Sequence, residues 1–552
     1  MKTERLVLKY CLQNAVFYNG KANSSAVLGK VLAENPGLRK DAAELKKEIE
    51  RKVIEINSLD LREQKRMLER IDKKLLVKEK KKQGGLPPLR NAKKGKVVTR
   101  FAPSPTGPLS LPHVLRAAML SYLYARMYGG RFILRFEDTD PRSVRPEFYD
   151  WIREDLENVG IKADRVVKES DNIGLYLKLA DSMLKKGDFY LCTCSAEKFR
   201  DAKRKKQACG CRDRASGSEW KKMLSGGYAE GDAVIRLKTS MKDPNPALRD
   251  PVMLRVVKSD HPGKGKRQNV WPVYNFASVI EDHEEGITHV FRGKEHEHNT
   301  AIQKMLYDAL GWKQPTVINF GMVHLPGEKI HTRDIKERIE NGSVSGWDDP
   351  KLPTIRALLR RGFQSHAFCE AAIGCGLSKT DIRISWDMIN AINRKAIDPV
   401  ANRYMVVTEP VRISLKKIPE LEFVKEPLHP DFPGRGNKKI HVDEKNTRIS
   451  RVDFRSLKNK TFRLKALGNF RLRARTAEYV GNEIERGMQK IQWVSEPSIK
   501  VKIITPEGEF AGIGEAAMKK LNPGDLIQME RIGFGRIDAV SGNTVTVYFA
   551  HK

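Results

Sequence analysis

Apolar positions along this chain change their spacing twice. Up to about residue 82 they recur at helical intervals. Leu61, Met67, Leu68, Ile71 and Leu75 repeat among many charged residues, which predicts amphipathic helices. The basic run Lys78-Glu-Lys-Lys-Lys82 and the helix-breaking Gln83-Gly-Gly-Leu-Pro-Pro88 come next, so a linker is expected there. After Gly95 the pattern alternates. Lys96–Ala102 reads as a buried strand, Ser104–Pro108 as a turn, and Val114–Tyr128 as a helix with Leu115, Met119, Tyr122, Leu123 and Met127 near one face. Gly129-Gly130 is a C-terminal helix stop, and Arg131–Phe136 is a second strand. This order is a βαβ unit, which predicts a parallel sheet with its ligand site at the carboxyl ends of the strands. Another helix follows, with Tyr149, Ile152, Leu156 and Val159 on its apolar face. From about 190 to 290 the elements are mixed, as in an insertion, and alternation resumes to about 400. Beyond it, short β-branched runs such as Val501–Ile504 and Thr544–Phe549 are separated by turns at Pro506–Gly508 and Ser541–Asn543. That spacing predicts an all-β barrel or sandwich.

Composition adds a partner to this picture. The 552 residues suit two to four domains, and 102 Lys and Arg against 69 Asp and Glu give a formal net charge of +33. Such an excess points to a polyanion, and nucleic acid is favoured over an acidic membrane surface. No apolar run of about 18 residues is present, so no transmembrane helix is expected. The opening MKTERLVLKYCLQ lacks the apolar core and cleavage site of a secretory signal, and a cytoplasmic protein is expected. Four of the seven cysteines form two Cys-x-Cys pairs, Cys192/Cys194 and Cys209/Cys211, either side of a short basic helix. Four thiolates on two turns suit a tetrahedral structural Zn²⁺; the alternative is four reduced thiols without metal.

Two long stretches are more specific. Arg100-Phe-Ala-Pro-Ser-Pro-Thr-Gly-Pro108, a helix, and then Gly130-Arg-Phe-Ile-Leu-Arg-Phe-Glu-Asp-Thr-Asp-Pro141 resemble the glutamyl/glutaminyl family of class I aminoacyl-tRNA synthetases. The wording of 101–107 is similar to the glutamyl branch, which disfavours glutaminyl specificity. Val270–Ser278 with Glu281-Asp-His283, Phe291–His296, Ser345–Thr354, Ile397–Tyr404 and Ile491–Val494 resemble the archaeal form, so the likeness covers nearly the whole chain.

That resemblance implies a multidomain α/β plus all-β protein. Expected are a helical extension (1–95), a Rossmann-type catalytic core (96–190 and 291–400, the latter with a helical connector), an acceptor-stem insertion (191–290) and a β-barrel anticodon-binding region (401–552). It also implies ATP with Mg²⁺, glutamate and tRNA(Glu), with tRNA(Gln) as a second acceptor, as substrates and partners. Arg100, Ala102, Ser104, Glu137, Tyr274, Ser278 and Arg292 match the amino-acid pocket. Guanidinium forks suit a substrate with two carboxylates, and an acid suits its ammonium. His283 and His296 are expected in structural rather than catalytic roles.

The two ATP signatures depart from the family. His-Ile-Gly-His is here Ser110-Leu111-Pro112-His113, which keeps only the last histidine and places proline where glycine would admit adenine. Lys-Met-Ser-Lys-Ser is here Lys329-Ile330-His331-Thr332-Arg333, followed by Asp334, so phosphate-binding charge must come from Lys329, Arg333 or Lys336. His113, Lys329 and Arg333 are the catalytic candidates. Two outcomes stay open: a working glutamate-activating enzyme, or a synthetase-like tRNA-binding protein with impaired adenylation.

Overall fold

The structure is a computed structural model that describes residues 2–18, 20–72, 75, 85–265, 268–326, 332–484 and 486–552. It divides into two compact units, 1–85 and 86–552.

The first unit is helical. Lys2–Phe17, Ser24–Glu34, Ala42–Asn57 and Leu61–Ile71 enclose Val7, Leu12, Val27, Val31, Ile49, Ile56 and Leu68. Asn23 and Asp60 cap two of the helices by accepting from backbone N–H groups of the first turn. The expected stripe of the last helix holds at Leu68, but Gln64 is buried as well. Its amide donates to the carbonyls of Gly20, Ile56 and Leu59 and so fastens two loops. The helical reading beyond residue 75, the basic run 78–82 and the first two residues of the expected linker lie outside the described residues.

The second unit begins with a five-stranded parallel sheet. Its order is Arg165–Lys168, Arg131–Phe136, Val98–Phe101, His289–Gly293, Thr316–Phe320. The chain order reverses between Val98–Phe101 and His289–Gly293, which opens a crevice at their carboxyl ends. The helix after the first strand differs from its expected form. His113–Ala118 is π-helical, with Met119 N–H donating to Val114 O, before Met119–Met127 continues as α-helix. The wider turn shifts the register of the apolar face. Val114, Leu115, Ala118, Met119, Leu120, Tyr124 and Ala125 are buried, while Met127, expected inside, is 51% exposed. The helix stops at Gly129 with φ +62°. At Gly130 a Cβ would lie 1.9 Å from Val97 O, so glycine is needed where the second strand meets the first.

Between Arg165–Lys168 and His289–Gly293 the chain forms a separate antiparallel sheet, Phe189–Cys192, Val234–Leu237, Val252–Val256 and Val270–Pro272, with its own core around Trp271. Beyond Ile397 the chain forms two larger barrel-like sheets, of seven and six strands, each with its own core. Strand Asn402–Tyr404 pairs with Leu526–Met529, so the seven-stranded sheet joins the first and last parts of this region.

Candidate active site

The crevice holds a cavity of about 440 Å³. Arg100 ends the first strand, Arg292 lies in the strand beside it, and Glu137 follows the second strand, so the sheet topology converges all three. Ala102, Ser104 and Tyr274 share this wall. Ser278 does not reach it. Its place in the helix Tyr274–Glu284 buries it completely, and its hydroxyl has no hydrogen-bond partner among the described residues.

The two pocket arginines are held differently. Arg100 Nε donates to Asp282 Oδ1 at 3.2 Å, and Arg135 donates to the same oxygen at 2.6 Å and to Glu285 Oε2 at 2.6 Å. All four side chains are buried. Burial opposes the ionisation of Asp282, but Arg100 and Arg135 outweigh it and hold the carboxyl below its usual range. Arg292 instead donates to Gln303 Oε1 at 2.9 Å, to Thr300 Oγ1 at 2.6 Å and, at 3.5 Å, to the Tyr274 hydroxyl. Glu137 faces both forks. Burial pushes its carboxyl up to about 7 against the pull of Arg100, Arg135 and Arg292.

A second group lines the remaining wall: Gly107, Pro112, His113, Arg116, Glu295, His296, Phe320–Val323 and Thr332. Pro112 has helical φ and ψ, as expected of proline in a first turn. His113 opens onto the cavity, yet the surrounding protein lowers its pKa below 6.5, with Glu295 pulling it back up. His296 is lowered by burial as well, so both imidazoles are neutral at neutral pH. Ser110 and Leu111 are absent from this wall. Ser110 forms a β-bridge with Thr354, and Leu111 donates its N–H to Pro353 O and buries its side chain in the core. The first half of this signature is stitched to the chain around 353–355, and only Pro112 and His113 face the cavity.

In the second signature, Lys329, Ile330 and His331 lie outside the described residues. Thr332 begins the helix Thr332–Glu340 and lines the cavity beside Gly107, whereas Arg333 is exposed and does not line it. His283, expected in a turn, lies in the helix Tyr274–Glu284 and stacks on Trp312 at 3.8 Å.

Sequence reasoning missed Arg116, Asp282 and Arg135. Arg116 is a buried guanidinium that donates to the carbonyls of Gly321 and Cys375 (3.0 Å for the latter), with its Nε unpartnered. An arginine inside the apolar stretch Val114–Leu120 was its available signal.

Away from the cavity, the four expected cysteines converge. Cys192 ends a strand and Cys209 and Cys211 follow the helix Ala196–Arg204. Sγ–Sγ distances are 3.8 Å for Cys192/Cys209 and 3.7 Å for Cys194/Cys211, and all four sulfurs lie within 4.8 Å of one another. A tetrahedral ion with metal–sulfur bonds of ~2.3 Å requires edges of ~3.8 Å, so the set fits zinc. Burial opposes ionisation of Cys211, but donors at Thr193 bring its thiol down to about 7, near thiolate formation.

Comparison with known proteins gives one consistent result. Residues 96–399 match the catalytic domain of class I tRNA synthetases (E and Q), and 401–490 and 490–538 match two anticodon-binding domains of the same group. A Pyrococcus furiosus protein named glutamate–tRNA ligase is 44% identical over 578 aligned residues, covering 100% of both chains. Its namesakes from Pyrococcus abyssi and Sulfolobus acidocaldarius are 45% and 41% identical, covering 100% and 99% of both chains. A parallel sheet with two guanidinium forks at its reversal point, and domain matches running from 96 to 538, lead to one assignment: this chain belongs to the class I tRNA synthetases of the E and Q group.

Proposed function

We propose that this chain is a glutamate–tRNA ligase. Glutamate's α-carboxylate oxygen attacks the α-phosphorus of ATP, pyrophosphate leaves, and the resulting glutamyl-adenylate acylates a terminal ribose hydroxyl of tRNA with release of AMP. One observation carries the reading. The cavity presents two buried guanidinium groups and one carboxyl whose pKa stands near neutrality, a donor set that matches two carboxylates and an ammonium. Arg100 and Arg292 take the carboxylates and Glu137 the ammonium, while Ala102, Ser104 and Tyr274 shape the space. Ser278 acts from behind the wall. His113 and Thr332 flank the nucleotide, and Lys329 and Arg333 supply charge from the adjoining segment. Bound Mg²⁺ would neutralise the departing pyrophosphate.

End-to-end similarity to proteins named glutamate–tRNA ligase supports this substrate over glutamine. The tRNA is tRNA(Glu), with tRNA(Gln) as a second acceptor. The insertion binds the acceptor end, and zinc held by Cys192, Cys194, Cys209 and Cys211 fixes its turns without entering the chemistry. The place of work is the cytoplasm; no helix among the described residues is long and apolar enough to cross a membrane. The competing reading, a tRNA-binding protein without adenylation, draws on the substituted signature residues Ser110, Pro112, Thr332 and Asp334. Glutamate-dependent ATP–pyrophosphate exchange with tRNA present separates the two. Exchange and charging are expected, and the absence of both rejects the ligase.

A further inference from the structure

The two pocket arginines carry different net charge. Arg100 is neutralised on the spot by buried Asp282. A neutralised fork distinguishes weakly between a carboxylate and a carboxamide, since both offer an oxygen to its N–H groups. Arg292 has no carboxylate within ion-pair distance among the described residues. Its terminal nitrogens are oriented by two neutral oxygens, Gln303 Oε1 and Thr300 Oγ1. Gln303 is buried, and its own Nε2 has no partner, so that accepted bond is its one side-chain hydrogen bond among the described residues. An acceptor needed only to fasten an arginine would be stronger as a carboxylate. A carboxamide fastens the fork and leaves its charge to whatever enters the cavity.

We infer that Gln303, aided by Thr300, sets the preference for glutamate over glutamine by positioning Arg292 without neutralising it. The inference rests on the reading of Arg292 as a substrate contact. Gln303 is a positioning residue here, because it acts through Arg292. Gln303→Glu keeps shape and acceptor but adds the missing charge. Arg292 is then paired inside the protein, and the advantage of the substrate's side-chain carboxylate over a carboxamide falls.

The test uses the full chain in ATP–pyrophosphate exchange with tRNA, measuring kcat/KM for glutamate and for glutamine. Q303E is expected to lower the glutamate value roughly 100-fold and to change the glutamine value about threefold or less, so the discrimination ratio collapses. Gln303→Leu removes the acceptor and adds no charge, and it should lower both values together, leaving the ratio within about threefold. An unchanged ratio in folded Q303E, or an equal shift of the ratio in Q303L, overturns the inference while leaving glutamate activation standing. Should Q303E not fold, Thr300→Asp decides: it sets a carboxylate at the other neutral acceptor of the same fork, it is expected to lower the discrimination ratio about tenfold or more, and an unchanged ratio overturns the inference. A wild-type chain that activates neither amino acid overturns both this inference and the proposed function.

Discussion

A single methyl group tests whether the two signature segments must meet for catalysis. A Cβ on Gly107 would lie 2.8 Å from Thr332 Cγ2, with Thr332 Oγ1 at 3.6 Å and the Trp347 ring at 3.7 Å. Carbon atoms rest comfortably at about 3.5–4.0 Å. In Gly107→Ala either the turn or the start of the helix Thr332–Glu340 must therefore retreat by about 1 Å. Overpacking of this kind costs about 1–3 kcal/mol. If that cost falls on the nucleotide-loaded arrangement, the rate drops by roughly 5- to 150-fold. The assay is pyrophosphate exchange with ATP varied at saturating glutamate. G107A should lose about tenfold or more in kcat/KM for ATP, with the KM for glutamate unchanged, because Gly107 belongs to the nucleotide wall. Thr332→Ser deletes only Cγ2, so the double variant should regain most of the loss. A G107A defect that T332S does not relieve, or no defect at all, refutes the reasoning.

Three further outcomes follow from the same geometry. Asp282→Asn strips the counter-charge from Arg100 and half of that from Arg135, and should cost about 3–5 kcal/mol of stability in denaturant unfolding; a loss below about 1 kcal/mol would show the pair is not energetically coupled. Glu137 has a folded pKa of about 7 against an ordinary 4.5, so the native state holds a proton the unfolded chain has shed, and its contribution to stability falls as pH rises between those values. Ammonium binding requires the ionised form, so the KM for glutamate should rise as pH falls from 8 to 6, and Glu137→Gln should flatten that profile. Metal analysis of the untagged protein should find one zinc per chain, lost in Cys209→Ser, with tRNA charging reduced more than pyrophosphate exchange; stoichiometric zinc in C209S would contradict the four-sulfur site.

The strands and the pocket arginines were legible because their signals are local. An apolar run ending at Arg100 before a proline-glycine turn gives strand, direction and exposed end together, and the Arg131–Phe136 strand places Glu137 by the same logic. The helix between them was legible only as a helix. Spacing of 3.6 residues put Met127 inside, but the π-turn at His113–Ala118 adds backbone per turn and rotates the rest outward. Period counting has no term for that change. Asp282 was out of reach for another reason. Its meaning lies in Arg100 and Arg135, residues 182 and 147 positions away, and only the sheet brings them together. Alignment with a signature assigned Ser110 a position but could not show its backbone bridge to Thr354, a residue 244 positions away.

The erosion of the first signature carries less weight once charge is placed. Serine at 110 stands where the family has a histidine, but Ser110 is bridged through its backbone to Thr354 and is not among the residues lining the cavity. His113, the surviving histidine, lines the cavity, and burial lowers its pKa and so disfavours its cationic form. Near His113 on the cavity wall, Arg116 adds a guanidinium that donates to the carbonyls of Gly321 and Cys375 and lies over the Phe320 ring. Burial lowers its pKa from 12.5, yet it has no ion pair among the described residues to offset the cost of burying its charge. On the proposed function, the triphosphate of ATP would bring negative charge toward this guanidinium, and Arg116 would then favour the nucleotide-loaded cavity.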